Sequence, residues 1–89
     1  MTLTTASAAL LDKLLQEGAA NGFYETSRAT FMMNGDLTQA EKGNLLDLKV
    51  KGLVSTQDDE RGYWVVFSDE ALALHPEGVK WLAFGWEEN

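Results

Sequence analysis

Five consecutive residues, Tyr63-Trp64-Val65-Val66-Phe67, are all aromatic or β-branched, and no other segment constrains this chain so tightly. Such a run reads as a strand, with turn formers at Gly62 before it and Ser68-Asp69 after it. It has to be buried on one face and partly covered on the other, so other elements must pack round it. A partner strand is expected just upstream. Leu53-Val54-Ser55-Thr56 leads into the polar tip Gln57-Asp58-Asp59-Glu60-Arg61-Gly62, which makes a β-hairpin.

Helical signals flank this hairpin. From Thr5 to Glu17, the residues Ala8, Ala9, Leu10, Leu11, Leu14 and Leu15 recur at helical spacing and form one apolar face. Thr4 or Thr5 can cap its start, and Gly18 with Asn21-Gly22 is expected to end it. A short helix is expected from Thr26 to Met33, closed by Asn34-Gly35. Thr38-Gln39-Ala40-Glu41 is a capping box, and the helix it opens should run to Lys51 and stop at Gly52. Ser68-Asp69-Glu70 starts a last helix through Leu72 and Leu74. The tail from Gly78 to Trp86 carries Val79, Trp81, Leu82 and Phe84, and reads as a helical turn or two wrapping back on the body.

A chain of 89 residues supports one core, so residues 1–89 are read as a single domain of the α+β class. Cysteine is absent and there is one histidine, which excludes disulfides, thiolate chemistry and multi-histidine or cysteine metal sites. No apolar run approaches the ~18 residues of a membrane span. The first residues also lack the basic start of a secretory signal, so a cytoplasmic location and no membrane partner are expected. Seven basic residues against fourteen acidic ones give a net charge of −7. On average that repels nucleic-acid phosphates, unless a local basic patch overrides the mean.

The order helix, short helix, turn, capped helix, hairpin, helix is similar to that of a winged helix-turn-helix domain. The likeness is sharpest at Leu45-Leu46-Asp47-Leu48-Lys49-Val50-Lys51-Gly52-Leu53-Val54, which resembles the end of the recognition helix and the start of the wing in MarR-like regulators. It extends from Thr26 to Phe67. The resemblance implies that helix 38–51 enters the major groove while the hairpin wing touches the DNA backbone.

The residues themselves fit that role poorly. At helical spacing Leu45, Leu48 and the stem of Glu41 face a core, which leaves Gln39, Gly43, Leu46, Asp47 and Val50 on the opposite side. Base edges are read by hydrogen bonds, and only Gln39 is suited to that. Leu46 and Val50 either pack on a neighbouring element or form an exposed strip for a protein partner or a second copy of the chain. The wing offers Asp58, Asp59 and Glu60 with only Arg61 in relief. It is either a solvated turn or an anionic finger for a basic protein surface. A calcium loop would need alternating ligands that this tip lacks.

Two functional readings follow. In the first, the chain is a non-enzymatic binding protein whose partner has a basic surface and belongs to nucleic-acid machinery. Gln39, Leu46, Val50, Asp58, Asp59 and Glu60 would form the contact, in the manner of small phage- or mobile-element-type inhibitors. In the second, it is a DNA-binding regulator using Arg28, Gln39, Lys42, Lys49 and Arg61. Five of the seven cations lie between Arg28 and Arg61, although Lys49 and Lys51 also complement the helix dipole. A homodimer is compatible with either reading. No cofactor is implied. His75 has no nucleophile beside it in sequence and reads as a surface or cap residue, and Ser27, Thr30, Ser55 and Thr56 lack the context of a nucleophile. The glycines are too dispersed to cradle a phosphate.

Overall fold

The computed structural model describes residues 3–21, 23 and 28–84, with the backbone alone for Phe84. In chain order it contains α1 (Thr5–Ala20), β1 (Ala29–Met33), α2 (Gln39–Val50), β2 (Val54–Asp59), β3 (Gly62–Phe67), α3 (Asp69–Leu72) and α4 (Pro76–Phe84). The three strands form one antiparallel sheet in the order β1-β3-β2. The all-apolar strand is therefore the central one. Its alternation places Tyr63, Val65 and Phe67 toward the helices and Trp64 and Val66 on the outer face.

Local signals set most boundaries. Thr4 caps α1 by accepting the Ser7 N–H at 3.1 Å, and Ser68 caps α3 by accepting the Ala71 N–H at 3.2 Å. Helix α1 continues past its expected end at Glu17 to Ala20, capped by Asn21. Gly18 lies inside it, and a side chain there would strike the ring of Phe23. That ring meets Phe67 edge-on at a centroid distance of 5.8 Å. The four leucines expected on the apolar face of α1 are buried, but the flanking alanines are not part of it. Ala8 and Ala9 are exposed, and Ser7, Leu10, Leu11, Leu14, Leu15 and Gly18 are buried.

The described part of the segment expected as a short helix, Ala29–Met33, is strand β1, while Thr26 and Ser27 lie outside the described residues. Pairing with β3 overrides the helical preference of Ala and Met: Thr30 and Met32 turn inward opposite Val65 and Tyr63. The helix expected ahead of α2 is thus absent from 29–33, and α2 packs on α1 instead. The result is a small α+β domain whose hairpin and sheet order are compatible with a winged helix. Leucines 10, 11, 14, 15, 45, 48 and 72, with Phe23, Val65, Phe67 and Trp81, fill a single core between the sheet and the helices.

Chain ends differ in detail from the sequence reading. Helix α3 is one turn, leaving Leu74 exposed, and α4 begins at Pro76 rather than Gly78. Its expected continuation to Trp86 falls outside the described residues. Among the described residues no helix is long and apolar enough to cross a membrane.

Candidate functional site

Helix α2 is held from three sides. At its start the capping box is complete: Thr38 Oγ1 accepts the Glu41 N–H at 3.1 Å, and Glu41 Oε1 accepts the Thr38 N–H at 2.9 Å. The other oxygen of Glu41 pairs with Lys13 of α1 at 3.0 Å. These contacts hold the Glu41 carboxyl below its usual range, the Thr38 backbone hydrogen bond first and Lys13 second. Along its body Leu45 and Leu48 are buried. At its end Gly52 takes a left-handed φ of 76°, and the Leu53 N–H bonds the Leu48 carbonyl at 3.0 Å.

Asp47 does not stand in solvent beside Leu46, as its spacing suggested. It faces α1, where the Ser7 hydroxyl donates to its Oδ2 at 2.8 Å, and Lys51 bonds its other oxygen. Those two contacts, Lys51 first, lower its pKa. Both of its oxygens are thus engaged, although the side chain stays 31% exposed.

What remains of α2 faces outward. Leu46 is 59% and Val50 77% exposed, so among the described residues no neighbouring element covers either of them in the way one reading of the strip allowed. Gln39 and Gly43 share that face, and Gly43 has open space where a side chain would stand. A rigid helix therefore presents two aliphatic side chains one turn apart.

The cations separate into two groups. Arg28, a DNA contact in the second reading, pairs its guanidinium with Asp69 at 2.6 Å and lies 5.2 Å from the centre of the Trp81 ring. Lys13, Lys51 and Lys80 also have carboxylate partners. Among the described residues, Lys42, Lys49 and Arg61 have no ion-pair partner within 4.0 Å. Lys42 and Lys49 line one recess of about 230 Å³, together with Leu45, Thr56, Asp58 and Tyr63. Burial, then the charges of Asp36 and Glu41, push the Tyr63 pKa up.

The acidic residues are not one finger. The hairpin turn is Glu60-Arg61 alone, since Asp58 and Asp59 belong to β2 and pair in register with Tyr63 and Gly62. Strand alternation sends Asp58 toward α2 and Asp59 to the outer face, where the Trp64 indole N–H donates to it at 3.4 Å. Asp58 thus joins the α2 side of the molecule and Asp59 leaves it.

Other chemistry is sparse. His75 accepts the Glu77 N–H on Nδ1 at 3.1 Å and so caps α4. The buried Thr30 hydroxyl has no hydrogen-bond partner. Among the described residues no group of three or more His, Asp or Glu side chains is placed to hold a metal. Thr56 and Tyr63 were not identified in the sequence as groove residues, because nothing local shows that β2 runs beside α2. No protein-family model, curated protein or solved structure matches this chain.

Proposed function

We propose that this chain is a non-enzymatic binding domain, built on a winged-helix-like scaffold, that docks a protein partner on the outer face of α2 and the adjoining hairpin. The observation that carries this reading is the exposure of Leu46 and Val50 on a helix fixed by its cap, its core leucines and Ser7. Two aliphatic side chains on a rigid face gain little from DNA and much from burial against protein, about 1.5–3 kcal/mol for a fully buried Leu or Val. Gln39 lies on the same face, Asp58 lies beside the lysine flank of α2, and Glu60 stands in the hairpin turn, while Asp59 points to the outer face and drops out of the contact. With a net charge of −7, the fitting partner has a basic surface, such as one that handles nucleic acid. The chain would then act as a stoichiometric inhibitor or regulator.

A second copy fits the strip less well. Antiparallel pairing of two α2 helices about Leu46 would bring Lys42 and Lys49 of each copy against the same lysines of the other, between two chains of charge −7.

A DNA-binding regulator remains the second reading, favoured by one observation: Lys42, Lys49 and Arg61 lack ion-pair partners among the described residues. A photo-crosslinking residue at position 46 separates the two in cells. A covalent product digested by protease but not by nuclease supports the protein partner. A nuclease-sensitive product overturns that reading and favours DNA. Duplex titration at two salt concentrations gives the same answer in solution, because phosphate binding weakens steeply with salt.

A further inference from the structure

The two edges of the sheet are not equivalent. On β1, the Asp36 carboxylate accepts the Met33 N–H at 2.8 Å, and the Asp36 N–H donates back to the Met33 carbonyl at 3.0 Å. Ala29, at the other end of that edge, is 1% exposed. Those contacts leave Phe31 as the accessible edge residue of β1.

The β2 edge is open, and its phase can be read from one bond. The Ser68 N–H donates to the Leu53 carbonyl at 2.9 Å, so Ser55, Gln57 and Asp59 exchange backbone bonds with β3. Val54, Thr56 and Asp58 therefore direct their N–H and C=O groups away from the sheet. Val54 is buried, but Thr56 is half-buried and Asp58 exposed. Their outward backbone groups form no hydrogen bond among the described residues. Thr56 and Asp58 of that edge line the same shallow recess as Lys42, Leu45 and Lys49 of α2 and Tyr63 of β3.

We infer that the groove between α2 and the free edge of β2 takes an extended segment of the partner protein as an added strand, with a carboxylate side chain facing Lys42 and Lys49. The inference rests on the protein-partner reading above. Backbone bonds to Thr56 and Asp58 supply the register, as in other strand-addition grooves bounded by a helix. The two lysines are seven residues apart, roughly 10.5 Å along the helix, so one acidic side chain can lie between them. Charge selects this occupant. In a chain with twice as many acids as bases, these lysines have no ion-pair partner within 4.0 Å among the described residues and outnumber Asp58, the one acid lining the recess, so an incoming carboxylate supplies the partner. Beyond Asp58 the added strand runs toward Glu60, where the basic part of the partner belongs.

The probes are fluorescein-labelled heptapeptides of alternating Val and one variable residue, Glu or Lys, titrated against the whole chain by polarisation. Glu peptides should bind more tightly than Lys peptides, and backbone amide shifts should concentrate at Thr56 and Asp58. Thr56→Pro removes an outward N–H and blocks the edge without touching the β3 ladder, so it should weaken binding by roughly tenfold or more. Lys42→Glu with Lys49→Glu, both exposed, should reverse the Glu-over-Lys preference and guards against a folding defect in the proline variant. Equal binding by wild type and Thr56→Pro overturns strand addition, as does an absence of peptide binding. If an amphipathic helical peptide binds instead and Leu46→Asp abolishes it while Thr56→Pro does not, strand addition falls and the protein-partner reading stands. If only duplex DNA binds, both fall.

Discussion

The Ser7 hydroxyl reaches from α1 to the Asp47 carboxylate at 2.8 Å and ties α1 to the helix that bears the exposed Leu46 and Val50. Ser7 is buried among the leucines of α1, so its donor has to be satisfied across the helix pair rather than by solvent. Lys51 completes the arrangement on the other oxygen of Asp47. The sequence suggested a carboxylate standing beside Leu46 on the outer face; in the structure Ser7 and Lys51 engage it.

This pair makes stability depend on pH in a defined direction. Asp47 and Glu41 both have pKa values lowered in the folded state, so the unfolded chain binds protons first as pH falls. Their contribution is present above the ordinary carboxylate range, about pH 4, and is lost as pH drops through the folded values. Thermal melts from pH 7 down to pH 2 should show a falling midpoint over that acidic window. Ser7→Ala should reduce the Asp47 share of the slope. A melting temperature independent of pH across the window would contradict the role given to both carboxylates.

The cap that opens α2 predicts a second effect. Thr38→Ala removes the acceptor for the Glu41 N–H and should cost about 1 kcal/mol, read from urea unfolding. Thr38→Ser retains the oxygen and should lose much less. An unchanged midpoint in the alanine variant would show that the core leucines alone hold the helix start.

Two glycines should respond oppositely to alanine. At Gly43 a side chain meets open space in the middle of a helix, so Gly43→Ala should stabilise the fold by about 0.5–1 kcal/mol. At Gly62 a side chain would overlap the Met32 carbonyl of the neighbouring strand, and Gly62→Ala should destabilise by about 1–3 kcal/mol through backbone displacement. Denaturant midpoints compare the two directly. The same sign for both would refute the packing described at one of them.

Arg28 sits at a left-handed φ of 46°, with its guanidinium between Asp69 and Trp81. Arg28→Ala should loosen α3 and α4 from the start of β1, at a cost of about 1 kcal/mol for the lost stacking. Arg28→Lys keeps the charge but not the planar group and should fall between wild type and alanine. If DNA affinity fell in proportion to charge at position 28 while stability stayed level, that structural role would be the wrong assignment.

The features legible in the sequence are those that a few neighbouring residues decide. Thr4, Thr38 and Ser68 cap helices because each hydroxyl lies within three residues of the amide it satisfies. Gly52 ends α2 because its left-handed conformation is cheap for glycine, and Tyr63–Phe67 is a strand because five such side chains suit little else. The exposed face of α2 was half legible: periodicity put Leu46 and Val50 opposite the core, but could not say whether another element covered them.

Long-range packing decided the rest. Ala29–Met33 has no local preference strong enough to oppose β3, so pairing made it a strand and removed the helix expected before α2. Arg28 and Asp47 look like surface charges in sequence, yet Asp69 and Ser7, 41 and 40 positions away, engage both. The open edge at Thr56 and Asp58 is likewise invisible along the chain, since strand order and hydrogen-bond phase exist only once β1 has taken the other side of β3. Caps and turns are satisfied within one turn of backbone. A strand's backbone groups and a surface's charge depend on neighbours that folding alone brings together.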